Sequence, residues 1–373
     1  LPDNPNRAKD HEEGIKGTTQ NTSSQERHWP SARTEEEIVN SWTQTQPVVS
    51  ICCAAFNHES YIEETIRGFI EQVTTFPIEI ILHDDASTDN TTDIIRRYAA
   101  RYPSIIKTII QTENQYSKGC RIMPEILLAE AKGDFLALCE GDDYWCNPQK
   151  LSMQTEAISA SNACDLCFHP VHKVNSQTGE KEIGGQYSTM TTTVPAEEIT
   201  LRPRGPIPTA ATLITRRASL EIQQFFHGTS GLTVSDIFIH AIAAEHGGAV
   251  YLPEPMATYR VFTPNSWSDR YSDHEVRMEN AIAHCNGYRE LAATLLSRQS
   301  DTLRETRRRL VCRMIKEPGG SKRARVQLLS KNRDCFGTRE FAVLHAVSQS
   351  RTLLALSRLG ASLRRSIYRK PTL

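Results

Sequence analysis

Leu138-Cys139-Glu140-Gly141-Asp142-Asp143-Tyr144-Trp145 joins the end of an apolar run, Phe135 to Cys139, directly to three carboxylates and two aromatics. Side chains alternate along an extended chain, so a strand continued through this stretch points Glu140 and Asp142 one way and Asp143 the other. Carboxylates paired on one short loop suit a hard divalent cation, Mg²⁺ or Mn²⁺, which completes its shell with water and substrate phosphates. The same residues also describe a solvated acidic turn after a buried strand, since surface Asp is common. The sequence on either side decides between them.

Upstream, Val48 to Cys53 is a buried-strand run, followed by the polar turn Phe56-Asn57-His58-Glu59-Ser60 and by Ile62, Ile66, Phe69, Ile70 and Val73 at helical spacing. Ile78 to Leu82 repeats the pattern and ends at His83-Asp84-Asp85-Ala86-Ser87-Thr88-Asp89, whose Ser, Thr and Asp offer caps to a helix around Ile94 to Tyr98. Ile105 to Ile110 is a third strand, Pro124 to Ala131 a helix leading into Phe135, and Asn147-Pro148 opens a further helix through Ile158. This alternation predicts an α/β fold, a mainly parallel sheet with flanking helices that binds ligands beyond the carboxyl ends of its strands. Three of those ends carry Phe56-Asn57, Asp84-Asp85 and Glu140 to Asp143 into one crevice. Carboxylates crowded there repel unless a cation or hydrogen bonds compensate, which weighs against the solvated turn.

An apolar content of 39% over 373 residues suffices for the core of one large or two ordinary domains. The net charge of -1 conceals an acidic body and a basic stretch after residue 301. Of the ten cysteines, Cys52, Cys53, Cys139 and Cys167 sit inside apolar runs and read as reduced core residues. Cys164 and Cys167 form a C-x-x-C, but no second pair or suitably spaced His accompanies it. No apolar run approaches the ~18 residues of a membrane span, and no signal-peptide core is visible, so the expected location is cytoplasmic, at the inner face of the membrane. The first strand is not followed by G-x-G-x-x-G, and neither a P-loop nor H-E-x-x-H occurs, which disfavours a dinucleotide or NTPase site and a zinc protease. Ala54 to Tyr61 contains no Gly, as a nucleotidyltransferase phosphate loop would want, and the basic stretch lacks the aromatic interleaving of a nucleic-acid binder.

Three segments then carry a resemblance. Val49-Ser50-Ile51 through Phe56-Asn57-His58-Glu59-Ser60-Tyr61-Ile62, Asp84-Asp85-Ala86-Ser87-Thr88-Asp89-Asn90-Thr91, and Cys139 through Trp145 resemble family 2 glycosyltransferases of the GT-A fold, in the bacterial branch that builds cell-envelope polysaccharides. The likeness covers about residues 47 to 270, extending to Cys167-Phe168-His169, Ser235-Asp236, Tyr259-Arg260 and Trp267-Ser268. It implies an inverting, metal-dependent transfer of a sugar from a nucleotide-diphosphate donor, most simply a UDP-sugar, to an envelope glycan or lipid-linked acceptor. Ala55, Phe56, Asn57 and Glu59 would then line the nucleotide pocket, with Asp84 or Asp85 on the base or ribose. Asp142 would ligate Mn²⁺ or Mg²⁺, flanked by Gly141 and Asp143, with Glu140 standing where the family has the first Asp of its DXD. Asp236 would be the base for the acceptor hydroxyl, which needs a carboxylate within hydrogen-bond reach; read from its residues alone, it is equally a first-turn acid of a helix. Tyr259, Arg260 and Trp267 would belong to the acceptor side or closing loop. Arg121 is either a phosphate partner or a solvated surface residue, and Tyr144 and Trp145 either stack on a sugar or pack under the loop. The chain departs from the family pattern at Ala54 (a Pro there), Phe56 (a Tyr) and Phe262 (a His). A non-catalytic nucleotide-sugar-binding protein is the alternative.

Residues 1–45 are polar and read as disordered, apart from a lead-in helix from Glu35 to Trp42. The donor half is expected over 46–150, the acceptor half over 151–300, and a basic helical region over 301–373. Within the acceptor half, Gly179 to Pro208 reads as an irregular excursion, Thr209 to Thr215 as a strand, Ala241 to Ala244 as part of a helix, and Ala249 to Leu252 with Ala257 to Val261 as a strand pair. Leu291 to Leu310 reads as helix. Arg307-Arg308-Arg309, Lys322-Arg323, Arg364-Arg365 and Arg369-Lys370 punctuate leucines such as Leu353, Leu354, Leu359 and Leu363. That pattern fits either a solvated appendage packed on the catalytic body or a peripheral membrane anchor.

Overall fold

Continuous apolar runs, rather than alternating ones, build the centre of the fold, because both faces of its sheet are covered. The computed structural model describes residues 33–350 apart from 230, 233–234, 265 and 318–320, together with 353 and 355. Most of the stretch expected to be disordered, residues 1–32, lies outside the described residues. The lead-in helix runs Glu35–Val39, opened by a capping box between Thr34 and Glu37.

In chain order the strands are β1 (Val49–Ala55), β2 (Ile78–Asp84), β3 (Ile106–Ile110), β4 (Phe135–Glu140), β5 (Tyr144–Trp145), β6 (Leu166–Phe168), β7 (Val171–Asn175), β8 (Lys181–Gly184), β9 (Thr192–Val194), β10 (Leu213–Thr215), β11 (Ala249–Tyr251) and β12 (Ala257–Val261). An eight-stranded sheet is ordered β3-β2-β1-β4-β10-β6-β11-β9, and β5-β12-β7-β8 form a smaller sheet. The strands from β3 to β4 are mutually parallel, β10 runs against both β4 and β6, and β9 runs against β11. In β1, Val49, Ile51, Cys53 and Ala55 enter one core and Cys52 the other. Helices Ile62–Ile70, Thr91–Arg101 and Lys150–Ser161 bury Ile66, Phe69, Ile95, Leu151 and Ile158 in the first core. Helices Arg216–Gly228 and Asp236–Ala243 bury Ile222, Phe226, Phe238 and Ile242 in the second. The fold is a central mixed sheet with helices on both faces.

Several expected elements are corrected. The stretch from Gly179 to Pro208 is not irregular: it holds β8, β9 and helix Ala196–Leu201. Its many Thr and Gly residues obscured two short edge strands. Thr209–Ala211 is a 3₁₀ turn, and only Leu213–Thr215 is strand. β11 and β12 are not partners; β11 pairs with β6 and β9, and β12 with β5 and β7, so the short link between them crosses from one sheet to the other. The helix expected from Pro124 begins as a π-turn, Ile122–Leu127, before Leu128–Glu130. Val73 lies past the end of its helix, which stops at Ile70. The helix expected over Leu291 to Leu310 is two helices, His274–Ala293 and Ser300–Lys316, separated by a turn at Ser297–Gln299.

Packing shows no break at residue 300. Leu303 joins the same core as Phe238, Tyr288 and Leu291, and Gln299 bonds Thr200 and Glu245. Helices Ser300–Lys316, Lys322–Lys331 and Thr338–Gln349 close a further core around Met278, Val311, Met314, Leu328 and Leu329. Four arginines of this region are paired: Arg304 with Asp301, Arg307 with Asp334, Arg308 with Glu305 and Glu340, and Arg309 with Glu305. Over these residues the packed appendage describes the region, whereas Leu354, Leu359, Leu363, Arg364, Arg365, Arg369 and Lys370 lie outside the described residues. Among the described residues no helix is long and apolar enough to cross a membrane.

Candidate active site

The parallel register of β1, β2 and β4 aligns their polar ends. Ala55 lies beside Asp84 and Ala54 beside Glu140, and Gly141 N–H donates to Ala54 O at 2.8 Å, so the chain turns off β4 directly against β1. A Cβ on Gly141 would meet His58 Nδ1 at 2.7 Å and Ala55 Cβ at 3.0 Å, so a larger residue would force its neighbours to shift. The turn ends the strand alternation at Glu140. Asp143 consequently does not point away from its neighbours: Glu140, Asp142 and Asp143 each offer an oxygen, all within 4.8 Å of one another. Among the described residues this is the one group with the donors for a metal ion.

Their electrostatics show the cost of that crowding. Burial, and after it the charges of Asp142 and Glu140, push the Asp143 carboxyl well above the usual range, against the pull of Arg260. Glu140 opens toward the cleft, yet the protein around it strips away enough water, with Asp142 and Asp236 as like charges, to push it up to about 8. Asp143 Oδ2 is buried without a hydrogen-bond partner. An orphaned carboxylate oxygen in a cluster of like charges is the environment that a divalent cation relieves, and all-oxygen donors fit Mg²⁺ or Mn²⁺.

The end of β12 and the residues just after it contact this cluster. Arg260 donates its N–H to Asp143 Oδ1 at 2.8 Å and Nη1 to the Asp142 carbonyl at 2.6 Å, and its guanidinium pairs with Glu64 while lying 5.1 and 4.6 Å from the ring centres of Tyr61 and Tyr144. Thr263 Oγ1 donates to Asp142 Oδ2 at 2.7 Å. Asp236 is the first residue of its helix, with Oδ1 buried and unpartnered. Burial raises its pKa; Arg202 opposes that shift. Arg202 itself donates to Tyr288 Oη at 3.2 Å. Beneath, His240 bonds Thr212 at 3.0 Å and is held neutral by burial and by Arg202, pulled down to about 3.

The other expected site residues divide. Asn57, at φ 55°, accepts from Thr88 N–H at 2.8 Å, and Glu59 accepts from Asn90 N–H at 3.0 Å, so both stitch the β1 and β2 end loops together. Asp84 is enclosed by the hydroxyls of Ser87 and Thr92, and Asp85 accepts the N–H groups of Gln115 at 2.7 Å and Tyr116 at 3.0 Å, which fixes the loop after β3. Phe56 is 40% exposed at the end of β1 and free to meet a flat ligand. Arg121 is turned away from phosphate duty: its guanidinium pairs with Glu125 and donates to the carbonyls of Phe226 at 3.1 Å and Thr229 at 3.2 Å. Trp145 is a core residue, with its indole N–H on Ala210 O at 3.0 Å and its ring against Phe69 and over Lys150 Nζ at 3.9 Å. Tyr259 is half-buried beside the cluster, whose charges, after burial, raise its phenol. Trp267 opens a short helix, and its side chain lies outside the described residues.

Residues 50–220 match the model of glycosyl transferase family 2. This stretch is a family 2 glycosyltransferase domain. An uncharacterised Mycobacterium tuberculosis protein is 35% identical to this chain over 225 residues, 60% of this chain and 62% of that one. The Escherichia coli UDP-Glc:alpha-D-GlcNAc-diphosphoundecaprenol beta-1,3-glucosyltransferase WfaP is 39% identical over 116 residues, 30% of this chain and 43% of that one. The chain therefore spans less than two thirds of the length of these curated relatives. S. aureus TarS, solved with UDP-GlcNAc, shares the fold at a TM-score of 0.62 over 84% of this chain and 92% of that one, at 15% identity.

The site includes residues that sequence reading missed. Glu64 and Thr263 contact the acidic turn or its arginine only through tertiary folding, and Arg202 lies in the stretch read as irregular. No spacing rule reaches them. The matched segment contains the acidic cluster but ends before Asp236, Arg260 and Thr263, which the fold adds to it.

Proposed function

We propose that the protein is an inverting, metal-dependent glycosyltransferase that moves a sugar from a nucleotide-diphosphate donor, a UDP-sugar, to an envelope glycan or lipid-linked acceptor. The observation that supports this most is the convergence of Glu140, Asp142 and Asp143 at the carboxyl ends of the parallel strands of a family 2 domain. The donor and acceptor classes rest on the activity of WfaP.

Asp142, with Glu140 and Asp143 beside it, would hold Mn²⁺ or Mg²⁺, and a bound cation supplies the charge that stabilises a departing diphosphate. Ala55 and Phe56 would line the nucleotide, with the Asp84 and Asp85 loops shaping the pocket floor. Asp236 takes the proton of the acceptor hydroxyl as that oxygen bonds to the anomeric carbon, while the carbon's bond to the diphosphate oxygen breaks from the opposite face. Burial suits Asp236 to this role, because a carboxylate with a raised pKa is a stronger base. Tyr144, Tyr259 and Arg260 bound the acceptor side.

The test is incubation of the protein with labelled UDP-, GDP- and dTDP-sugars, Mn²⁺ and undecaprenyl-diphosphate-linked or polysaccharide acceptors. Transfer of label with release of nucleoside diphosphate is the expected result. Release of pyrophosphate would assign a nucleotidyltransferase, and tight binding without turnover a non-catalytic binder; either outcome overturns the reading.

A further inference from the structure

The chain leaves β12 through a conformation that few side chains adopt. Phe262 lies at φ 60°, in the left-handed region where a bulky residue is unfavourable and local strain tends to mark function. Its N–H donates to Ser268 Oγ at 2.7 Å, which holds the turn. The next residue, Thr263, is 2% exposed and donates its hydroxyl to Asp142 Oδ2 at 2.7 Å. Three residues earlier, Arg260 fixes the Asp142 carbonyl and one Asp143 oxygen. One short segment thus grips both aspartates of the acidic cluster.

We propose that Thr263 is a positioning residue of the cation site, delivered by the left-handed turn at Phe262, and that its hydroxyl sets the orientation in which Asp142 meets the ion. The proposal rests on the metal-dependent reading above. A carboxylate turns easily about its last torsion, which has broad, shallow wells. A buried donor on one oxygen removes that freedom and leaves the other oxygen directed. Partners of this kind, which orient a ligand without touching the metal, set affinity in many metal sites. The Arg260 bonds act on the Asp142 backbone and on Asp143, so among the hydrogen bonds described they do not substitute for Thr263 at the Asp142 side chain.

The experiment is Mn²⁺ binding to the whole protein without donor or acceptor, read by calorimetry or by the spin-resonance signal of free Mn²⁺. Thr263→Val keeps the shape and removes the hydroxyl; affinity should fall by about 10- to 100-fold, the range for losing such a partner. Thr263→Ser keeps the hydroxyl and should restore affinity. Melting in EDTA checks that both variants fold. Unchanged affinity in Thr263→Val, or equal losses in the Val and Ser variants, overturns the role of the hydroxyl while leaving the metal site intact. Failure of the unchanged protein to bind Mn²⁺ overturns the metal-dependent reading, and the inference with it.

Discussion

Asp236 sits in the first turn of its helix with one oxygen buried and unpartnered, a costly arrangement that a cap alone does not explain. As the proposed base, it predicts that Asp236→Asn keeps donor binding but lowers turnover by roughly 10²-fold or more, measured in steady state with a saturating donor. Near-native turnover would leave it a helix-end acid. Lys150 makes a different prediction. It is fully buried, bonds Gln154 at 2.7 Å, and burial pulls its ammonium down to about 7 from 10.5. Between those values the unfolded chain holds a proton that the folded chain lacks, so this residue makes stability rise with pH across that window. Lys150→Met removes the term; its stability relative to the unchanged protein should be greater at pH 6 than at pH 9, by denaturant unfolding. A difference that is constant or grows with pH contradicts this. The acidic cluster was legible from sequence, because carboxylates after an apolar run are local information. The direction of Asp143 was not, since the turn at Gly141 that reverses it depends on contact with β1.

Helix Asp236–Ala243 is positioned by its neighbours rather than by its own sequence. Phe238, on that helix, packs 5.3 Å from the Tyr288 ring and 6.1 Å from His284, and a Cβ on Gly287 would lie 2.4 Å from its ring. Gly287→Ala should therefore push this helix, and Asp236 with it, costing about 1–3 kcal/mol as overpacking does. The expected signature is a lower melting temperature with reduced turnover but unchanged Mn²⁺ affinity; unchanged turnover would detach the helix position from catalysis. The alternating strands and helices up to residue 161 were readable because each buried strand is a continuous apolar run. Beyond it, β8 and β9 are short strands whose residues carry no such run, and the separation of β11 from β12 is decided by which sheet each one meets.

Across the whole molecule, the helices after residue 300 complete the core that supports the catalytic body. A chain ending at residue 300 loses Leu303, Val311 and Met314, all with 0% exposure, and should melt well below a chain ending at residue 355, which should keep donor binding. Equal melting would mark the helices as dispensable. A separate membrane anchor in residues 356–373 predicts that only the full chain floats with anionic vesicles at low salt; flotation of both the full chain and the chain ending at 355, or of neither, removes that role. The basic composition was legible, and Asp301 and Glu305 lie at helical spacing from Arg304 and Arg308, but the pairing with Asp334 and Glu340 was not, because those two partners meet the arginines only in the fold. In the proposed function, the carboxylate cluster that the fold assembles holds a cation that carries the sugar donor. Calorimetric titration of UDP-sugars into the protein and into Asp142→Ala, each with Mn²⁺ and with EDTA, tests this most directly. The account predicts Mn²⁺-dependent donor binding in the unchanged protein and its loss in the variant; equal donor affinity in both, with Mn²⁺ present, would contradict it.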